Sequence, residues 1–274
     1  MFTLNCKGRL LVMQEPIVMG IINATPDSFY SSSRQPSVDA AMKQAEKMLQ
    51  EGARILDIGG QSTRPASTPV KAEEELQRVL PIIEAICQRF PEAFISIDTY
   101  YSQVAEKAVP AGAGIVNDIS GGSFDKAMHS TVAGLRVPYI CMHLRGSVDT
   151  MHQNPVYKNV TEEVLDYFLQ KLADCKQAGI NDIIIDPGFG FSKNSDHNFT
   201  LLKNLEVFKM LKKPLLLGIS RKSTIYKTLG IAIEESLNGT TVLHTAGLLK
   251  GAAILRVHDV KEAMEAIKLT QYLT

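Results

Sequence analysis

The stretch NDIIIDPG, residues 181–188, decides the fold, because its three consecutive isoleucines lead directly into Asp186 and a Pro-Gly turn. A short, continuous apolar run bounded in this way is typical of a parallel strand that is buried on both faces. An amphipathic segment with helical spacing, residues 161–178, precedes the run, and Gly179 follows that segment. The stretch therefore predicts a helix followed by a buried strand of a parallel α/β fold.

The same arrangement recurs along the chain. Predicted helices include residues 37–51, with Ser37 as the N-cap, and residues 73–90, in which Pro81 predicts a kink or a break. About eight strand–helix units without a linker favour a (β/α)8 TIM barrel over an open sheet, which is the alternative. The other apolar runs lie at residues 17–22, 55–58, 94–97, 115–116, 139–142, 215–219 and 252–257.

Length and composition are those of one ordinary globular domain, which we expect to span residues 1–274. Residues 1–16 predict a short hairpin, which we expect to close the bottom of the barrel. The formal net charge of zero argues against a broad attraction for nucleic acid or an anionic membrane. The four cysteines form no CxxC pair, and no signal peptide or spanning apolar run is recognisable, so we expect a cytoplasmic protein.

Polar residues follow almost every predicted strand. A single Asp or Asn at such a position often caps the next helix, but a set of carboxylates, amides and cations on the same face of a barrel favours an active site. The loops at residues 25–36 and 61–70 are long and rich in Ser, Thr and Pro, which predicts lids over that site. The residues at the strand ends are Asn23, Asp57, Asp98, Asn117, Asp118, His143, Asp186, Ser220, Arg221, Lys222, Arg256 and His258.

Several common active-site motifs are missing from the sequence. It contains no GxGxxG after a strand, no complete GxxxxGK[ST], no HExxH and no GxSxG. These absences narrow the possible chemistry, and the missing upstream glycine of the P-loop motif argues against a nucleotide hydrolase.

Seven segments in order resemble the dihydropteroate synthase family, whose members join a dihydropterin diphosphate to p-aminobenzoate in folate biosynthesis. Their ordered occurrence over almost the whole chain is far more specific than one glycine motif. The segments are GIINATPDSF (20–29), DIGGQSTRP (57–65), SIDT (96–99), NDISGG (117–122), DPGFGF (186–191), GISRKS (218–223) and RVHDV (256–260).

The resemblance implies a role for each matching residue in binding the pterin. A carboxylate can accept two parallel hydrogen bonds from the amino group and ring N–H of a pterin, and Asp186 is expected to do so. The pterin-binding residues implied are Asp98, Asn117, Met142, Asp186, Phe191, Gly218 and Lys222. The catalytic residues implied are Lys222, Asp98, Asp186, Arg256 and His258, whereas Asp57, Asp118 and His143 are interpreted as supports.

The resemblance also implies a diphosphate site, an arylamine site and a metal. Mg²⁺ is the implied cofactor, associated with Asn23. The implied partner is a second copy of the chain, bound through barrel helices, and the implied inhibitors are sulfonamides. The implied diphosphate-binding residues are Asn23, Arg64, Arg256 and His258, and those for p-aminobenzoate are Phe29, Thr63, Arg64, Pro65, Lys222 and Ser223.

Departures from the family pattern lie in or beside loops. Tyr30 and three serines, 31–33, stand where an acidic, glycine-containing segment is usual, and Gln61 stands where Glu is usual. Ala66 and Ser192 each replace a common glycine. We therefore expect altered lid behaviour rather than altered chemistry.

Two other functions remain open at this point. One is a corrinoid methyltransferase that uses methyltetrahydrofolate, which would share the Asp and Asn contacts to the pterin. The other is a noncatalytic pterin-binding module. The presence of Arg64, Lys222, Arg256 and His258 favours the synthase over both.

Overall fold

The computed structural model describes residues 1–24, 34–61, 69–147, 150 and 156–273, with only the backbone for residues 34–37. The chain begins with an antiparallel hairpin of strands β1 (Phe2–Cys6) and β2 (Arg9–Met13). Eight parallel strands follow in one sheet. They are β3 (Ile17–Asn23), β4 (Ile55–Gly59), β5 (Phe94–Asp98), β6 (Ile115–Asp118), β7 (Tyr139–Met142), β8 (Ile183–Asp186), β9 (Leu216–Leu217) and β10 (Ile254–Val257).

The sheet is a (β/α)8 TIM barrel, as the apolar runs predicted. Its strand order is β8-β7-β6-β5-β4-β3-β10-β9, and a parallel bridge between Ile185 and Leu215 joins the two end strands. The nine α-helices of the described residues are α1 (Arg34–Gln50), α2 (Ala72–Arg89), α3 (Ser102–Ala111), α4 (Met128–Leu135), α5 (Val160–Ala178), α6 (Ser195–Lys203), α7 (Ser223–Leu229), α8 (Leu237–Leu249) and α9 (Val260–Thr270). Short 3-10 helices span Leu205–Leu211 and Ile233–Glu235.

The predicted N-cap at Ser37 was wrong, and of the kink or break predicted at Pro81, the break does not occur. Helix α1 begins at Arg34, so Ser37 lies within the helix and is not its N-cap. Pro36 is tolerated in the first turn because the N–H that proline lacks has no helical partner there. Helix α2 is not broken at Pro81, which is exposed, because the opposite face buries Val79 and Ile83 against the sheet. That packing outweighs the local cost of the proline.

The hairpin closes the N-terminal end of the barrel, as predicted. Four of its side chains, Leu4, Cys6, Leu11 and Met13, are buried in one apolar cluster with residues from the barrel strands. Since every barrel strand supplies at least one residue to this cluster, the bottom is packed and the opposite end is left for a site. The strand residues are Ile17, Met19, Ile55, Phe94, Ile115, Ile140, Ile184, Leu216 and Ile254.

Glu75 is an unusual buried acid on the face of α2 that packs against the sheet. Its side chain is wholly buried, and neither carboxyl oxygen has a hydrogen-bond partner among the described residues. Burial raises the pKa of Glu75 from its ordinary 4.5 to about 8; the charge of Asp98 adds to this rise and that of Arg78 opposes it. Glu75 is therefore protonated in the folded protein at neutral pH.

This burial makes a prediction about the pH dependence of stability. Because the folded state holds the Glu75 proton more tightly than the unfolded state, the free energy of unfolding falls as pH rises from 4.5 towards 8. Glu75→Gln removes that dependence, so its Tm relative to the wild type should rise by about 5 °C between pH 5 and pH 9. Thermal melts of Glu75→Gln and of Glu84→Gln, an exposed change on the same helix, provide the comparison. A Tm difference that does not change with pH would contradict the assignment.

Candidate active site

The strand register brings the predicted polar residues to one rim of the barrel. Asn23 and Asp98 each pair with Gly59, which lies between them on β4. Asp98 pairs in turn with Asn117. Because parallel strands all end at the same rim, Asn23, Asp98 and Asn117 lie at one level at the C-terminal end of the barrel.

Arg256 is at the centre of the first cluster of charged side chains. Its Nε donates to Asp57 Oδ2 at 2.6 Å, and its second terminal nitrogen donates to Asp98 Oδ2, also at 2.6 Å. The Asn117 amide donates to the same Asp57 oxygen at 3.0 Å. Asp57, interpreted from the sequence as a support, thus holds both Arg256 and Asn117 in place, and two carboxylates fix the plane of the guanidinium.

The pKa values in this cluster follow from burial and charge. Burial raises the pKa of Asp98 to about 7, and Arg256 opposes that rise. Burial also lowers the pKa of the Arg256 guanidinium, but Asp57 and Asp98 more than offset it and leave the pKa above its ordinary value. The arginine therefore remains a cation that is already oriented for a ligand.

The second cluster contains Asp186 and Gly218. Asp186 is only 6% exposed, and its Oδ1 accepts a hydrogen bond from the Gly188 N–H at 2.8 Å. Gly218 faces the other oxygen, since a Cβ added there would lie 3.5 Å from Asp186 Oδ2. Met142 pairs with Asp186 across β7 and β8 and is also buried. The Asp186 carboxylate therefore lies beside a glycine, which has no side chain, and beside the apolar side chain of Met142. This arrangement leaves room for a flat ring that hydrogen-bonds to the carboxylate.

Lys222 approaches this cluster from the start of α7. Its Nζ donates to the Phe189 carbonyl and lies 4.3 Å from the centre of the Phe191 ring. Burial lowers the pKa of Lys222 to about 8, while Asp186 acts in the opposite direction. Burial raises the pKa of Asp186, and Lys222 opposes that rise. Each group therefore stabilises the charged form of the other.

His258 and Ser220 join the ends of β9 and β10. The His258 N–H donates to Ser220 Oγ at 3.2 Å, and the hydroxyl lies 3.0 Å from His258 Nδ1. These two contacts to one hydroxyl fix the orientation of the His258 ring at the rim. The adjacent Arg221 binds Asp259 through two hydrogen bonds of 2.7 and 2.8 Å, which links the same two loops.

Four of the predicted binding residues lie outside the described residues: Phe29, Thr63, Arg64 and Pro65. The departures at Tyr30, at the three serines 31–33 and at Ala66 also fall there. Gln61 is described, and its Oε1 accepts hydrogen bonds from the Val70 N–H at 3.1 Å and the Tyr100 hydroxyl at 2.9 Å. The amide at this position therefore joins the two ends of the second predicted lid.

Two groups beside the site had no role in the sequence interpretation. The Phe189 carbonyl accepts from Lys222, and Lys193 is buried below the segment that carries it. Every residue has a backbone carbonyl, so the sequence could not have indicated the role of the Phe189 carbonyl. Lys193 is visible in the sequence as a lysine two residues after DPGFGF. Nothing in that local pattern reveals that the lysine is buried.

The described part of the chain also bears on metal binding and on membrane insertion. No group of three or more His, Cys, Asp or Glu residues there could hold a metal ion. Asn23 offers one amide oxygen at the rim and makes no side-chain hydrogen bond to another described residue. None of the helices described has both the length and the apolar character needed to cross a membrane.

Comparison with known proteins gives a consistent result. A family profile for pterin binding enzymes matches residues 19–258. The dihydropteroate synthase of Escherichia coli (strain K12) is 43% identical over 267 residues, which cover 97% of this chain and 94% of the relative. Dihydropteroate synthase of Xanthomonas albilineans, solved with 4-aminobenzoic acid, is 38% identical with a TM-score of 0.92, covering 99% of this chain and 97% of its own. The Yersinia pestis enzyme, solved with a sulfonamide drug, is 36% identical with a TM-score of 0.92, covering 99% of this chain and 98% of its own.

Proposed function

The chain belongs to the pterin-binding enzyme family, and from that premise we infer that it is a dihydropteroate synthase. It condenses 6-hydroxymethyl-7,8-dihydropterin diphosphate with p-aminobenzoate to give 7,8-dihydropteroate and diphosphate. The observation that carries this conclusion is the similarity to dihydropteroate synthases over 97% of the chain. The cluster of Asp98 with Arg256 and that of Asp186 with Lys222, at one rim, supply the chemistry it needs.

Product analysis tests this function against the two alternatives. The protein is incubated with dihydropterin diphosphate, Mg²⁺ and p-aminobenzoate, and dihydropteroate is sought by chromatography. The synthase predicts dihydropteroate. Pterin binding without product would favour a noncatalytic module, and methyl transfer from methyltetrahydrofolate to a corrinoid protein would favour a methyltransferase.

We propose that the pterin lies in the slot between the two clusters. Asp186 is the acceptor for the pterin amino group and ring N–H, and Lys222 donates to the pterin carbonyl oxygen and ring nitrogen. Asp98 and Asn117 bind the remaining polar edge. Met142, Phe191 and Gly218 supply the walls and floor, which is supported by their positions around Asp186 and Lys222.

The reaction transfers the pterin methylene carbon from oxygen to nitrogen. The bond from that carbon to the diphosphate oxygen breaks, the arylamine nitrogen bonds to the carbon, and the nitrogen then loses one proton. An arylamine is neutral near pH 7, so no strong general base is required before attack. Stabilising the charge that develops on the diphosphate and the methylene carbon is the larger task, and fixed charges do this best.

Arg256 and His258 are proposed to bind the diphosphate. The Arg256 Nε and one terminal nitrogen are bound to Asp57 and Asp98, while the other terminal nitrogen has no hydrogen bond to a described residue. That nitrogen is available for a diphosphate oxygen. Arg64 remains a sequence-based proposal for the same site.

Replacing Arg256 by glutamine tests this role. We expect the affinity for dihydropterin diphosphate to fall by about 10- to 100-fold, the value of one hydrogen bond between charged groups. The affinity for 6-hydroxymethyl-7,8-dihydropterin, which lacks the diphosphate, should fall much less. Calorimetry with both ligands separates the two effects, and equal losses would show that Arg256 acts through the pterin slot instead.

We propose Mg²⁺ as the cofactor, with Asn23 as the protein group that holds it together with the diphosphate. The donor chemistry fits, because Mg²⁺ prefers oxygen ligands and is usually bound through one or two protein groups and substrate phosphates. When bound, it would neutralise charge on the leaving diphosphate.

The arylamine site is proposed from the family pattern. Lys222 and Ser223, at the start of α7, are described, while Phe29, Thr63, Arg64 and Pro65 are not. A slot that accepts p-aminobenzoate should also accept sulfonamides, which resemble it in shape. We therefore propose that sulfonamides compete with p-aminobenzoate in this enzyme.

Three further properties are proposed for the protein as a whole. We propose one domain over residues 1–274, because a single apolar cluster includes residues from Val18 to Ile267. A cytoplasmic location is supported by the four free cysteines. A homodimer is supported by helices α7 and α8, which expose Leu229 (55%), Val242 (58%) and Leu249 (45%) to solvent.

A charge on α8 tests the homodimer. Val242→Lys should convert the dimer to a monomer, because a desolvated charge at a protein interface is costly. Light scattering coupled to size-exclusion chromatography measures the mass. The matched control is Leu169→Lys, since Leu169 is exposed to a similar degree (53%) on α5. A monomeric wild type, or a Val242→Lys dimer, would contradict the proposal.

A further inference from the structure

Lys193 is a buried lysine immediately beneath the proposed pterin slot. Its residue is 9% exposed, and its Nζ lies 2.8 Å from His143 Nδ1, 3.1 Å from the Gly188 carbonyl and 3.1 Å from the Phe191 carbonyl. An ammonium group has three N–H donors, and here each has an acceptor. None of these acceptors is a carboxylate.

A cation in such surroundings is costly to bury. Burial lowers the pKa of Lys193 well below its ordinary value, and Asp186 is the charge that raises it. Burial and the charge of Lys193 both lower the pKa of His143, which keeps the ring neutral and Nδ1 available as an acceptor. An apolar side chain of similar length would avoid this cost but would leave the Gly188 and Phe191 carbonyls without their donor, so the lysine has a specific role in holding this segment.

The segment between β8 and α6 wraps around the amino group of Lys193. Gly188, Gly190 and Ser192 have φ values of 72°, 78° and 47°, in the left-handed region. Gly188 passes so close to β7 that an added Cβ would lie 2.0 Å from the His143 carbonyl oxygen. These turns direct the Gly188 and Phe191 carbonyls to Lys193, while the Phe189 carbonyl is directed to Lys222.

The same segment carries the groups that aim Asp186 and Lys222. The Gly188 N–H holds Asp186 Oδ1, and the Phe191 ring lies against Lys222 Nζ. Lys193 binds the carbonyl groups of both residues. A change at Lys193 would therefore shift both the Gly188 N–H that binds Asp186 and the Phe191 ring that contacts Lys222.

We propose that Lys193 is a positioning residue for pterin recognition: by binding the Gly188 and Phe191 carbonyls and His143, it sets the segment that orients Asp186 and Lys222 towards the pterin. This inference rests on the proposed function, because it assigns a role within the pterin slot. It predicts that Lys193 affects pterin affinity, through both Asp186 and Lys222, more strongly than it affects the arylamine side of the site, which it reaches through Lys222 alone.

Lys193→Ala tests the proposal, with wild-type dihydropteroate formation measured first. The affinity for dihydropterin diphosphate, from calorimetry, should fall by about 10- to 100-fold, as expected when contacting groups lose their orientation. The KM for p-aminobenzoate at saturating pterin should change less than the pterin affinity, because Lys222 is the only described arylamine contact that this segment orients. The control is Lys171→Ala, which removes a half-buried lysine of α5 that is bonded to Ser123, and this variant should bind pterin normally.

Chemical rescue separates positioning from filling of space. Propylamine matches the deleted part of the Lys193 side chain and should restore pterin affinity in Lys193→Ala, whereas 1-propanol of similar size should restore much less. If Lys193→Ala does not fold, His143→Leu removes one acceptor only and should weaken pterin binding several-fold. Normal pterin affinity in a folded variant, or equal rescue by both compounds, would overturn the proposal. A wild type without dihydropteroate synthase activity would instead overturn the function on which it rests.

Discussion

Replacing Asp186 by asparagine is expected to lower kcat/KM for dihydropterin diphosphate by about 10³-fold while the barrel stays folded. The reason is the number of acceptors: a carboxylate offers two oxygens to the paired donors of the pterin, whereas an amide offers one oxygen and one NH₂ group. The NH₂ group would face a pterin donor and leave it unpaired in a buried slot.

Stability should change in the opposite direction from activity. Burial raises the pKa of Asp186, so the carboxylate is held at a cost that a neutral asparagine avoids. The Tm of Asp186→Asn should equal or exceed that of the wild type. Steady-state kinetics and a thermal melt on the same preparation check both points, and near-normal kcat/KM would defeat the role of Asp186.

Replacing Lys222 by alanine is expected to reduce kcat/KM by about 10²- to 10³-fold. The change removes the proposed donor to the pterin carbonyl and also the cation that favours ionised Asp186. The control is Lys227→Ala, one turn further along α7 and exposed, which should keep normal activity. Activity in Lys222→Ala close to that of the control would contradict the assignment.

The pH dependence of kcat/KM in the wild type also tests the role of Lys222. Burial lowers the pKa of Lys222 to about 8, so the ammonium group loses its proton as pH rises through this value. The kcat/KM for the pterin substrate should therefore fall above about pH 8. Lys222→Ala should lack this decline, because it has no amine to titrate.

The barrel and its rim could be predicted because both depend on local sequence patterns. The run of isoleucines before Asp186 became strand β8, Ile183–Asp186, and the parallel arrangement then placed Asp98 and Asn117 at the same rim. The error at Ser37 arose because helix α1 begins earlier than the local pattern indicated, and the helix stays unbroken at Pro81 because packing outweighs local preference.

The contacts within the site could not be predicted from local patterns. Asp57 and Arg256 are 199 residues apart in sequence, and their ion pair depends on β4, β3 and β10 lying side by side. Lys193 looks like an ordinary loop lysine in the sequence, and its burial follows from the left-handed turns of the segment around it. The chemical types of the site residues were therefore predictable, whereas their pairing required the structure.

The most direct test of the synthase assignment is the stoichiometry of its reaction. Dihydropterin diphosphate and Mg²⁺ are incubated with the protein, with and without p-aminobenzoate, and dihydropteroate and diphosphate are quantified together. The assignment predicts that the two products form in a 1:1 ratio and that dihydropteroate requires the arylamine. Absence of dihydropteroate when pterin binding is intact would contradict it.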